Sequence, residues 1–251
     1  MLRFAGETRL SETTFVQSPD ADGADYRNRI FMVAGELAFA GHPSLGTAVA
    51  VAHVRGERRA SYVQQTPAGL QPIEVEVTGR TARASMLQEP AVFGPELDRA
   101  HVLDLLGLTA ADAHPALVPQ IVATGVPQVV VPVADAATLD RAAVTRREPL
   151  AALLGEHGAV TLFLAHWDAA SGHATARSWF VEPAAVTEDP ATGAAAGPLM
   201  AYLHARAGAA SVTIDQGVAM GRPSRMDCVV EGDRVRVGGE AVIVAEGRLH
   251  L

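Results

Sequence analysis

Two segments of this 251-residue chain set an acid–base side chain against a proline at the head of an apolar run. One reads Phe39-Ala40-Gly41-His42-Pro43-Ser44-Leu45-Gly46-Thr47-Ala48. The other reads Glu188-Asp189-Pro190-Ala191-Thr192-Gly193-Ala194-Ala195-Ala196-Gly197. Proline favours the first helical position, where its missing N–H is not needed. The pattern therefore predicts His42 and Asp189 at, or next to, a helix start. Unsatisfied N–H groups and the helix dipole favour an anion there. A base beside a bound acid can take a proton from a C–H next to a carbonyl, and a second group can return it. The enolate formed between the two steps is stabilised by the same helix-start donors. The competing reading of either segment alone is a core helix with an ordinary cap, since Asp is a favoured N-cap.

Several other chemistries are excluded by residue type. All twenty basic Lys and Arg positions are Arg, so neither a lysine Schiff base nor a P-loop can form. The one cysteine, Cys228, rules out a disulfide or a cysteine metal cluster. No G-x-G-x-x-G fingerprint occurs. The nine histidines form neither H-x-x-x-H nor H-E-x-x-H, and His166 and His173 are expected on the surface beside a polar loop. The expectation is an enzyme with no cofactor and no metal. His42-Pro43-Ser44-Leu45-Gly46 is a near miss to the G-x-S-x-G nucleophile elbow, which makes a serine hydrolase using Ser44 a competing reading.

Net charge of −8 argues against nucleic acid, whose backbone needs clustered basic charge. No apolar run is long enough to span a bilayer, and the first residues lack the stretch of a signal peptide. The expected protein is soluble and cytoplasmic, with a small carboxylate as its partner.

Around the two segments the chain reads as many short strands. Strands are expected at 12–17, 29–33, 62–65, 73–77 and 82–87, then around the Gly125 turn between 119 and 133, and at 160–165 and 175–180. A helix is expected over 95–106 and another near 150–156. Residues 234–244 suggest a hairpin across Gly238-Gly239. The Gly- and Ala-rich runs after Pro43 and Pro190 are apolar on all sides, so both predict buried helices. They form an internal echo between the two halves.

Four motifs in order resemble the phenazine-biosynthesis PhzF-like isomerase family. They are Leu10-Ser11-Glu12-Thr13-Thr14-Phe15-Val16, the Gly41-His42-Pro43 segment, Glu188-Asp189-Pro190-Ala191-Thr192-Gly193, and Gln216-Gly217 with Gly221-Arg222-Pro223-Ser224. The resemblance covers nearly the whole chain from about Arg9. It implies a diaminopimelate-epimerase-like α/β fold: two similar domains, each a curved mixed sheet around a central buried helix, with the site in the cleft between them. The expected domains are 1–110, completed by about 234–251, and 111–233. By the same resemblance, Glu12, His42 and Asp189 match the acid–base positions, with Glu12 as principal proton carrier. Gly41, Gly193 and Ala194 would offer backbone N–H groups to the substrate. Many members carry Ser where Ala194 stands. A homodimer is implied as well. The family pattern is longer ahead of Glu12, so an N-terminally truncated paralogue that binds a small acid without turnover is a further competing reading.

Overall fold

The computed structural model describes residues 1–182 and 184–249. The chain is a mixed α/β protein that divides into two compact units. Unit 1 comprises Met1–Leu87 and Gly238–Leu251, and unit 2 comprises Gln88–Val237.

Unit 1 begins with a short helix, α1 (Leu2–Thr8), and strands β1 (Thr13–Gln17), β2 (Tyr26–Met32) and β3 (Gly35–Leu37). The long helix α2 (Gly41–Arg55) follows, then β4 (Arg59–Thr66), β5 (Gly69–Thr78) and β6 (Thr81–Leu87). The sheet order is β1-β2-β4-β5-β6, with β3 also paired to β2. β2 and β4 run parallel. Parallel neighbours need a crossover, and α2 provides it. The inward residues of β4, β5 and β6 alternate (Tyr62, Ile73, Val75, Ala82, Ala84, Met86) and pack on Ala48, Val49 and Ala52 of α2. That period of two is what a sheet with one buried face requires.

Unit 2 runs β7 (Val92–Glu96), α3 (Arg99–Asp104), β8 (Gln120–Ala123), β9 (Pro127–Pro132), α4 (Ala136–Arg141), α5 (Arg147–His157) and β10 (Leu162–Asp168). It continues with β11 (His173–Val181), β12 (Val186–Asp189), α6 (Gly193–Ala207), β13 (Ser211–Gln216) and β14 (Ser224–Glu231). The last strand, β15 (Arg234–Val242), spans the unit boundary. Here the parallel pair across the long helix is β11 and β13. Phe163, Ala165 and Val130 face Leu199, Met200 and Leu203 of α6. The opposite face, with Val129, Val131, Leu162 and Leu164, is covered by Val102, Leu103, Leu139, Leu150 and Leu153 from α3, α4 and α5. Burial on both faces explains why β9 is a continuous apolar run rather than an alternating one.

The two units share one motif: a strand, a hairpin return, a buried fifteen-residue helix and a parallel strand. Gly41, Gly56 and Gln64 recur at one fixed offset as Gly193, Gly208 and Gln216. Gly56 and Gly208 both end their helices in the left-handed region, at φ 70° and 71°.

Five local expectations are corrected. Residues 88–110 belong to unit 2, because β7 pairs with β8. The helix expected over 95–106 is shorter: Pro95 and Glu96 end β7, and the true cap is Asp98, whose carboxylate accepts the His101 N–H at 2.7 Å. The hairpin at Gly238-Gly239 is a single strand. Neither glycine has positive φ, and a Cβ on Gly238 would lie 3.2 Å from Ser85 and 3.3 Å from the Ala84 carbonyl, so Gly238 serves close packing. His166 and His173 sit on β10 and β11, half-buried, with His166 Nδ1 fully enclosed. Neither proline opens its helix: Pro43 is third in α2, and Pro190 precedes α6. The Ser44 N–H bonds the Ala40 carbonyl at 3.2 Å, so Pro43 still lies in the turn whose N–H groups have no helical acceptor. Pro190 keeps Asp189 extended, at the end of β12.

Candidate active site

The two long helices begin without side-chain caps. The peripheral helices α3 and α4 are capped by Asp98 and Asp135. The core helix starts are therefore left as donors. In α2 these start at Gly41, which is buried. In α6 the first helix-start bonds are donated by Ala195 and Ala196 to the Thr192 carbonyl, at 2.9 and 3.1 Å, so the Gly193 and Ala194 N–H groups have no acceptor within the helix.

In unit 1, Glu12 stands just before β1 and His42 is the second residue of α2. The pairing of β1 with β2 carries Glu12 to the helix start. Glu12 Oε2 lies 2.9 Å from His42 Nε2. At that separation a proton lies between carboxylate and ring, whichever group formally holds it. The Glu12 side chain is 17 % exposed and that of His42 46 %, so the ring is the solvent-facing member of the pair. Beneath them, Thr47 Oγ1 donates to the Pro43 carbonyl at 2.7 Å and lies 2.8 Å from Thr14 Oγ1, fastening β1 to the first turns of α2.

In unit 2, Asp189 ends β12, opposite Ser178 of β11. Its Oδ2 accepts the Thr192 hydroxyl at 2.8 Å. Gln216, fully buried at the end of β13, holds the turn between Asp189 and α6. Its Nε2 donates to the Asp189 carbonyl at 2.6 Å and to Thr192 Oγ1 at 2.9 Å, while its Oε1 accepts the Thr192 N–H at 3.1 Å. Gly217 follows at φ 76°, and a Cβ there would stand 2.8 Å from the Pro190 carbonyl. Arg222 closes a turn onto Gly217, its N–H donating to the Gly217 carbonyl at 3.0 Å. Gln88 reaches the first turn of α6 from the other side, donating to the Gly193 carbonyl at 3.0 Å.

The singled-out residues thus fall into two sets. Glu12, His42 and Gly41 meet in unit 1; Asp189, Gly193 and Ala194 cluster at the α6 start in unit 2. Thr192, Gln88 and the role of Gln216 are additions from the structure. The shared offset of Gln64 and Gln216 was the one sequence signal that could have found the last. Ser44 is fully buried and accepts the Gln64 amide at 2.9 Å, so it is no exposed nucleophile of the elbow type. Among the described residues, no three His, Cys, Asp or Glu side chains are grouped to hold a metal ion. No helix among them is long and apolar enough to cross a membrane.

Several relatives that align along the whole of this chain are named isomerases. The chain is 35 % identical to a trans-2,3-dihydro-3-hydroxyanthranilate isomerase of Pseudomonas aeruginosa, over all of this chain and 88 % of that one. It is 28 % identical to an uncharacterised isomerase of Escherichia coli, over all of this chain and 89 % of the other. Among solved structures, a predicted epimerase of P. aeruginosa matches with a TM-score of 0.79 at 31 % identity, covering 98 % of this chain and 88 % of that one. A hydroxyproline epimerase of Agrobacterium vitis, at 16 % identity and a TM-score of 0.61 over 92 % of this chain and 73 % of that one, shares the fold. Residues 1–247 match the family described as phenazine biosynthesis-like protein, and the chain belongs to that isomerase family, PhzC-PhzF.

Proposed function

We propose that this protein is a cofactor-independent isomerase that moves a proton on a small carboxylate substrate by general acid–base catalysis. Glu12 is the principal proton carrier, His42 shares and relays its proton, and Asp189 is the second acid–base group. The N–H groups of Gly41, Gly193 and Ala194 bind the substrate carboxylate and the enolate that follows proton removal. The observation that carries this reading is the 2.9 Å contact between Glu12 Oε2 and His42 Nε2 at an uncapped helix start. A carboxylate that already shares a proton with a neighbour can release or accept one without reorganising. The uncapped α6 start beside Asp189 supplies the same pairing of donor groups with an acid–base side chain.

The test is solvent exchange. Candidate acids, beginning with the trans-2,3-dihydro-3-hydroxyanthranilate named for the relatives, are incubated with the protein in D₂O and followed by NMR. Deuterium is expected at the carbon that loses and regains its proton. Glu12→Gln is expected to slow this by about 10²- to 10⁴-fold, the usual contribution of one positioned acid or base. Exchange at the wild-type rate in that variant removes Glu12 from the mechanism. Activity is expected to survive exhaustive chelation; loss restored by a single metal would overturn cofactor independence.

A further inference from the structure

We infer that Thr192 and Gln216 are positioning residues that fix Asp189 as a hydrogen-bond acceptor at Oδ2 and so hold its carboxylate in the orientation that proton transfer needs. This rests on the role of Asp189 proposed above.

The argument follows from which groups can donate. A backbone N–H only donates and a backbone carbonyl only accepts. The Thr192 N–H points at one end of the Gln216 amide, at 3.1 Å, and the Asp189 carbonyl meets the other, at 2.6 Å. The backbone therefore settles which end of the amide is oxygen and which is nitrogen. With Nε2 so placed, its contact to Thr192 Oγ1 at 2.9 Å is a donation to the hydroxyl. The hydroxyl has a single proton, and it goes to Asp189 Oδ2 at 2.8 Å. The order is one-directional: amide to hydroxyl to carboxylate. Gln216 is 0 % and Thr192 6 % exposed, so water does not compete at either. A carboxylate oxygen that accepts a hydroxyl proton is stabilised in its charged form. The Ala191 N–H lies 3.4 Å from Oδ1, so both carboxylate oxygens face donors of the same turn and the group is held in one orientation.

The repeat supplies an internal comparison. Gln64 holds the matching place in unit 1, on the strand parallel to β2. Its Nε2 donates to Ser44 Oγ inside α2 at 2.9 Å, and its Oε1 accepts from Asn28 at 2.9 Å and from the Tyr26 hydroxyl at 3.4 Å. Both glutamines satisfy buried groups near a helix start. Only Gln216 is wired to an acid–base side chain.

The experiment compares steady-state kinetics of full-length Thr192→Val, Thr192→Ser and Gln216→Glu with wild type, on the acid identified by D₂O exchange, with Asp189→Asn as control. Thr192→Val keeps the shape and loses the hydroxyl. Gln216→Glu keeps an acceptor for the Thr192 N–H and loses the donors. A hydrogen bond to a charged group is worth about 1.5–3 kcal/mol, so kcat is expected to fall by about 10- to 100-fold in both, with KM within about threefold. Thr192→Ser is expected to recover kcat to within about threefold. Wild-type kcat in Thr192→Val, or a raised KM with kcat intact, overturns the relay; with Asp189→Asn inactive, the proposed function still stands. Full activity in Asp189→Asn instead overturns the role of Asp189 itself. Should Gln216→Glu fail to fold, the valine and serine variants of Thr192 decide.

Discussion

Replacing Gly197 by alanine puts a methyl group where the Gln88 amide now lies. An ideal Cβ on Gly197 would stand 1.8 Å from Gln88 Oε1 and 2.9 Å from Thr124 Oγ1. The first distance is about half the 3.5–4.0 Å at which non-bonded atoms settle. A surface glutamine would swing away at no cost, but Gln88 is 6 % exposed and held at both ends of its amide. It donates to the Gly193 carbonyl and accepts from the Thr124 hydroxyl. Expelling it forfeits two hydrogen bonds worth about 1 kcal/mol each. Overpacking adds about 1–3 kcal/mol, and the better helix propensity of alanine returns about 1 kcal/mol. The net expectation is a loss of about 2–4 kcal/mol. For a body the size of unit 2, this lowers the melting midpoint by about 5–15 °C. Thermal unfolding followed by circular dichroism measures it. Gln88→Ala in the same background makes room for the methyl, so the pair should be non-additive by about 1–2 kcal/mol. A Gly197→Ala protein melting at or above wild type would refute the reasoning, because it would mean that helix propensity outweighs the buried amide.

Gly217→Ala should lower both stability and kcat, since the methyl would meet the Arg222 carbonyl at 2.3 Å and displace the Pro190 turn that carries Asp189; unchanged kinetics would separate that turn from the chemistry. Cys228 is fully buried and burial pushes its thiol up, so a thiol reagent such as DTNB should label it only on unfolding. Labelling of the native protein at the rate of a free thiol would count against this packing. Asp215 is held below the usual carboxylate range by the Arg225 guanidinium, with His173 also bonded to it. Its folded value is depressed, so its stabilisation is full above the unfolded pKa of about 3.9 and fades as pH falls through the folded value. Asp215→Asn should therefore flatten the acid limb of a stability–pH curve, and a parallel curve in the variant would argue against the ion pair.

The two buried helices were legible because an all-round apolar run with small residues permits no other placement, and Gly56 and Gly208 mark their ends. Proline was a poorer guide to their starts. Any position in the first turn tolerates it, which is why Pro43 sits third and Pro190 lies outside. Glycine misled at Gly238 for a related reason: a missing Cβ serves close packing against Ser85 as well as a turn. The helix layer of α3, α4 and α5 could not be placed in advance, because its short stretches take their partner only from the far face of β9 and β10. The buried glutamines were hidden by chemistry that looks like surface. Gln88, Gln64 and Gln216 are polar residues on or beside strands, and only the tertiary hydrogen bonds show that each serves a helix start.

Unit 1 is closed by residues from both ends of the chain. Ile243 bonds the Arg80 carbonyl at 2.8 Å, Arg80 reaches the carbonyls of Ile243 and Val244, and His53 meets Glu246 at 2.8 Å. Unit 2 is one uninterrupted stretch of chain. On the ribosome, where synthesis is vectorial, unit 2 has all its residues before unit 1 does. The strand that seals unit 1 leaves the exit tunnel after all of unit 2, so a frameshift that spares everything before residue 238 still leaves the Glu12–His42 unit unsealed.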